Sequence, residues 1–122
     1  MKLNFKSKPP NSITTGQLAE QRAEDYLIGQ GLKLIARNFR CRRGEVDLIM
    51  LENDTYVFVE VRFRKSSRFG SALDTVTYTK QNKIRIAAEF YLQQNKLSEC
   101  VPVRFDVIGM TQNDIQWVKA AF

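Results

Sequence analysis

Residues 44–64 place the strongest constraint on how this chain can fold. They read Gly-Glu-Val-Asp-Leu-Ile-Met-Leu, then Glu52-Asn53-Asp54, then Thr-Tyr-Val-Phe-Val-Glu-Val-Arg-Phe-Arg. Both flanks are rich in Val, Ile, Phe and Tyr, which suit a pleated, half-buried surface. Asn and Asp between two apolar runs are turn formers. The segment is expected to form a β-hairpin.

Strand side chains alternate between faces. Strict alternation puts Glu45, Asp47, Ile49 and Leu51 on one face of the first strand. On the second it groups Phe58, Glu60, Arg62 and Arg64, with Val57, Val59, Val61 and Phe63 turned the other way, toward a core. Two acids thus sit in strands that otherwise read as interior. A buried carboxylate is costly unless it is paired, hydrogen-bonded or bound to a metal. If Asp47 and Glu60 meet on one sheet face, they can hold a hard cation between them, with Arg62 alongside. Neutralisation by nearby arginines is an equally open reading of the same residues.

Histidine is absent from the 122 residues. That excludes Ser-His-Asp and Cys-His hydrolases, His-dependent nucleases and His-dependent zinc deaminases. Hydrolytic chemistry in this chain must rest on carboxylates, a metal, Lys, Arg or Tyr. Nineteen Lys and Arg against 13 Asp and Glu give a net charge of +6, which points to a polyanion, most simply nucleic acid. No apolar run is long enough to span a bilayer and no secretory leader is visible, so no membrane partner and a cytoplasmic setting are expected. Cys41 and Cys100 are then expected as free thiols.

In chain order, residues 1–13 read as a flexible basic arm and residues 14–122 as one domain. Thr14 or Thr15 can cap a helix running to about Gln30, stopped by Gly31, with Ala19, Ala23, Tyr26, Leu27 and Gln30 as its inward stripe. Glu20 lies beside that stripe, and Glu24 follows a turn later. A strand is expected over 32–39, then a basic turn at Cys41-Arg42-Arg43, then the hairpin. The loop 65–78 carries Lys65, Arg68, Phe69 and Gly70, a pattern suited to phosphate contacts. A second helix over 79–96 buries Ile84, Ala87, Ala88, Tyr91 and Leu92. Its first turns carry Lys80, Lys83 and Arg85, at the end the helix dipole disfavours for cations. A strand over 101–110, in which Arg104 and Asp106 are expected to pair with neighbours, and a short edge strand over 115–118 complete an α/β chain.

Gly16-Gln-Leu-Ala-Glu20, Gly44-Glu-Val-Asp47 and Phe58-Val-Glu60-Val-Arg62-Phe-Arg64 together resemble the YraN-type uncharacterised bacterial family, which is similar to archaeal Holliday-junction resolvases of the restriction-endonuclease-like PD-(D/E)xK superfamily. The resemblance runs from about Gly16 to Val107. It implies a restriction-endonuclease-like core: a mixed sheet of four or five strands flanked by helices, in the order αβββαβ. It also implies a metal-dependent endonuclease acting on DNA, with branched DNA as the candidate substrate and Mg²⁺ or Mn²⁺ as cofactor. Asp47, Glu60 and the Val61 carbonyl would be metal ligands, Glu20 would add a helix carboxylate, and Arg62 would contact the scissile phosphate. Arg43, Arg64, Lys65, Arg68, Lys80 and Lys83 would follow the nucleic-acid backbone. A second copy of the chain is a further candidate partner.

Arg62 stands where that superfamily has Lys. An arginine stays protonated and cannot serve as a base. The alternative is therefore a catalytically weak or inactive nucleic-acid-binding module on a nuclease fold. A third reading makes the acids structural and the chain a protein-interaction subunit.

Overall fold

Asn53 reverses the chain in the middle of the hairpin, with a left-handed backbone (φ 55°) that Asn tolerates better than most residues. The computed structural model describes residues 15–65, 75–97 and 101–122. Around the reversal stand helix α1 (Thr15–Gly29), strands β1 (Lys33–Cys41), β2 (Gly44–Glu52) and β3 (Thr55–Phe63), helix α2 (Tyr78–Gln94), and strands β4 (Val103–Met110) and β5 (Ile115–Val118). The basic arm expected over 1–13, the centre of the 65–78 loop with Arg68, and Cys100 lie outside the described residues.

The five strands form one mixed sheet in the order β1-β2-β3-β4-β5. β1–β2, β2–β3 and β4–β5 pair antiparallel. β3 and β4 run parallel, joined through α2, because a parallel neighbour needs a crossover long enough to carry a helix. This is the expected α/β arrangement, consistent with a restriction-endonuclease-like core.

α1 ends as its glycine dictates. Gly31 takes φ 100°, its amide donates to the Ile28 carbonyl at 3.0 Å, and the Leu32 amide donates to the Leu27 carbonyl at 3.1 Å. These two bonds satisfy carbonyls that the helix leaves open, and Leu32 packs in the same apolar cluster as Leu27. Gln30 is exposed, so the inward stripe stops at Leu27, one turn earlier than expected. α2 begins at Tyr78 because the Thr77 hydroxyl caps it, accepting from the Lys80 amide at 3.2 Å.

Helices cover both faces of the sheet. On the α1 face Ala19, Ala23 and Leu27 pack with Leu48, Met50, Val57, Val59 and Ile108. On the α2 face Ile84, Ala87, Ala88 and Leu92 pack with Val46, Ile49, Phe58 and Val107. The expectation of one core-facing row on the second hairpin strand is thereby corrected: Val57 and Val59 face one core and Phe58 faces the other. A strand buried on both faces reads as a nearly continuous apolar run.

Candidate active site where β2 parts from β3

The β2–β3 ladder ends at the pair Leu48 and Val59. Beyond it β2 stays paired with β1 but leaves β3. Strict alternation also fails here. Leu48 and Met50 belong to the α1-side core, yet Val46 joins Ile49 in the α2-side core. Opposite this point β1 carries Asn38 in the left-handed region (φ 49°), between the pairs Arg37 with Leu48 and Phe39 with Val46. Arg37 reaches the α1 side to Glu24, while Phe39 packs on the α2 side. Both strands change their alternation at the level of Asn38, while the β1–β2 register itself slips between Leu34 and Ala36. The common face expected for Glu45, Asp47, Ile49 and Leu51 is not a continuous row.

Asp47 sits at the parting. Its Oδ2 accepts from the Val61 amide at 2.8 Å, standing in for the β2 backbone that has moved away. Its carboxyl group also lies beside that of Glu60, close enough for each to shift the other's titration. Glu60 shares the α2 face with Phe58 and is only 8 % exposed. Burial, and then the Asp47 charge, raise Glu60 to about 7. Burial likewise raises Asp47, partly offset by the Val61 amide, the Glu60 carboxyl and Lys80. Two carboxyl groups this close do not both ionise freely, so the two titrate as a pair in which burial favours holding a proton.

Glu20 approaches Asp47 from α1. Its carboxyl lies near Asn38 and Asp47, and burial followed by the Asp47 charge pushes its pKa up. Asp47 thus lies between the other two acids and acts on the titration of each. Among the described residues no group of three or more Asp, Glu or Cys side chains is arranged to hold a metal ion by itself. What the site offers is an oxygen-only pair, Asp47 and Glu60, of the kind hard cations take alongside water and substrate oxygens.

Arg62 is committed to this site. Its Nη1 lies 3.3 Å from Glu60 Oε2, and its Nε donates to Thr75 Oγ1 at 3.0 Å. Lys80 and Lys83 from α2 line a narrow cleft with Glu45, Glu60 and Ile84. Arg43 is exposed on the β1–β2 turn. Lys65 is exposed at the end of β3, while Arg64 is half-buried, with an Nε that lacks a hydrogen-bond partner among the described residues. Val61 contributes its amide hydrogen, to Asp47.

The other buried acids differ. Glu24, expected simply to follow Glu20 along the helix, is clamped by both Nε and Nη2 of Arg37 at 2.6 and 2.8 Å. Asp106 is fully buried and accepts four hydrogen bonds: two from Arg104, one from Trp117 Nε1 and one from the Ala120 amide, all between 2.8 and 3.0 Å. Arg104 also reaches Glu52 at 2.6 Å. These acids are satisfied as structural groups; Asp47 and Glu60 lean on each other.

A family model described as "Uncharacterised protein family UPF0102" matches residues 19–110, a span that holds Glu20, Asp47, Glu60, Arg62, Lys80 and Lys83. The chain belongs to the UPF0102 family. A UPF0102 protein of Colwellia psychrerythraea is 48% identical over 126 residues, covering 98% of each chain. Another, from Saccharophagus degradans, is 50% identical over 108 residues, covering 88% of this chain and 92% of its own. A third, from Shewanella frigidimarina, is 49% identical and is covered over 100% of its length. The resemblance to the YraN-type family is thus borne out.

Three residues of this UPF0102 site escaped the sequence reading. Asn38 was marked only by a residue type that tolerates φ above zero. Glu45, on the wall of the narrow cleft, had been placed by parity alone. Thr75, which holds Arg62, had no sequence signal. Among the described residues no helix is long and apolar enough to cross a membrane.

Proposed function

We propose that this UPF0102 protein is a metal-dependent nuclease acting on DNA, with branched DNA the first substrate to test. One observation carries the reading: the half-buried Asp47 carboxyl lies against the buried Glu60 carboxyl at the parting of β2 and β3. A fold gains no stability from holding two acids together in an apolar setting, so the arrangement suits a ligand that neutralises both. Mg²⁺ fits such a donor set, since it is commonly held by one or two carboxylates plus water and substrate phosphate.

In this reading Asp47 and Glu60, with the Val61 carbonyl, hold the ion, and the Val61 amide fixes the Asp47 carboxylate in place. The chemistry the ion supplies when bound is Lewis acidity toward an attacking water and the scissile phosphate. Glu20 orients groups on the α1 side. Arg62, held by Thr75 and Glu60, presents its guanidinium to a phosphate oxygen. Lys80 and Lys83 offset phosphate charge along the α2 wall. A cytoplasmic setting goes with this function.

The test is cleavage of linear, flapped and four-way DNA with Mg²⁺ or Mn²⁺. Glu60→Ala is expected to lose activity by at least two orders of magnitude; cutting at the wild-type rate by that variant rules the site out. A second reading, a nucleic-acid-binding module without strand scission, is favoured by Arg62. Its ion pair with Glu60 partly neutralises the acid that a metal would need. That reading predicts salt-sensitive binding, no products, and no Mn²⁺ site to lose in Asp47→Ala.

A further inference from the structure

Beside the acid pair, the β1–β2 turn carries a second concentration of charge. Arg40, Arg42, Arg43 and Lys83 surround a cleft of about 190 Å³ whose walls include a single carboxylate, Glu45. The ion pair of Arg40 with Glu45 is loose, at 3.9 Å between two well-exposed side chains, so it does little to cancel the cluster. Arg42, Arg43 and Lys83 are exposed. Four cations against one acid form a field that attracts anions.

This cleft is built on a rigid contact. A Cβ on Gly44 would lie 2.5 Å from the Lys83 carbonyl and 2.6 Å from the Ala87 amide nitrogen. The turn and α2 therefore meet backbone to backbone, which fixes Arg42 and Arg43 relative to Lys83. The cleft also adjoins the narrow one described above. Glu45 and Lys83 line both, and the narrow cleft adds Glu60, Lys80 and Ile84.

We infer that this cleft is the track along which a nucleic-acid backbone reaches the acid pair, with Arg42, Arg43 and Lys83 as its phosphate contacts. It rests on the nuclease reading only for where the strand leads, since binding in the cleft needs neither metal nor cleavage. A single free phosphate would use one of the two adjoining clefts; a phosphodiester chain uses both. An anionic membrane would need apolar side chains beside the cations, and the cleft offers only the Cys41 thiol.

The experiment measures anisotropy of labelled single-stranded and duplex DNA over a salt series, in EDTA, with Glu60→Gln as the parent so that no cleavage intrudes. Adding Arg42→Ala with Arg43→Ala is expected to weaken binding about tenfold near 0.1 M salt and to lower the log–log salt slope by about two. Adding Lys83→Met should lower that slope by about one. Lys33→Met, a like charge loss at the opposite end of β1, is the control. Losses no larger than the control's, no DNA binding by the parent, or tighter binding to phosphatidylserine vesicles through the same arginines overturns the inference. If the expected losses appear while wild type with Mn²⁺ cuts nothing, the track stands and the nuclease reading falls.

Discussion

The Val61 amide donates to Asp47 Oδ2 across 2.8 Å, so a side chain completes the β3 ladder at the point where the β2 backbone has left it. The bond anchors Asp47 at the mouth formed by two diverging strands. It also leaves that carboxyl beside Glu60, with no arginine bonded to it among the described residues. Asp106, two strands away, shows what a settled buried acid looks like: every partner it needs comes from its own protein.

Stability should fall as pH rises through the titration of Glu60. An acid whose pKa is raised from 4.5 to about 7 on folding holds a proton that the unfolded chain has already released. The folded state is therefore favoured at low pH, and the advantage is lost between those two values. The coupled pair makes the size about 1–3 kcal/mol. In urea titrations Glu60→Gln should exceed wild type in stability at pH 8, by a margin that shrinks toward pH 4.5. A pH-independent margin would refute the shift.

Divalent ions should stabilise the protein most where the pair is ionised. An ion at 100 times its dissociation constant adds about 2.7 kcal/mol, a rise in Tm of roughly 5–15 °C for a domain of this size. The rise with Mn²⁺ is expected at pH 8, should be far smaller at pH 5, and should vanish in Asp47→Asn. Equal shifts in wild type and Asp47→Asn would place the ion elsewhere.

Gly44→Ala should be costly although the residue bears no chemistry. Its Cβ would sit 2.5 Å from the Lys83 carbonyl oxygen and 2.6 Å from the Ala87 nitrogen, and neither is a flexible tip. α2 must move off β2, at about 2–3 kcal/mol by the usual cost of overpacking. Chemical denaturation measures the loss, and an unchanged midpoint would mean the close approach is absent in solution.

Asp106→Asn should behave opposite to Glu60→Gln. It leaves Arg104 without a bidentate partner in a half-buried network with Glu52 and sets an amide donor against Trp117 Nε1. Breaking one side of such a pair costs about 3–5 kcal/mol. Thermal melts of both variants at pH 8 should move in opposite directions. A stabilising Asp106→Asn would mean that these hydrogen bonds do not hold the fold.

Much of the molecule was legible in residue order. Apolar runs on either side of Asn53-Asp54 marked the hairpin, Gly31 marked the end of α1, and the pairing of Arg104 with Asp106 followed from a buried strand acid beside an arginine. Asp47 and Glu60 stood out because acids are rare in such apolar runs. Their phase was not legible. Period-two alternation predicts faces only while a strand keeps its regular pleat, and that pleat is broken at the level of Asn38.

The sequence by itself determined the elements, the sign of the charge and the pair of acids worth following. Tertiary structure decided that β2 parts from β3 at Asp47, that Glu20 reaches the same point from α1, and that α2 closes on Gly44 so tightly that only hydrogen fits. The first set follows from neighbours along the chain, whose spacing fixes periodicity. The second depends on backbones and carboxyls brought together from distant elements, and no local pattern records which of them will meet.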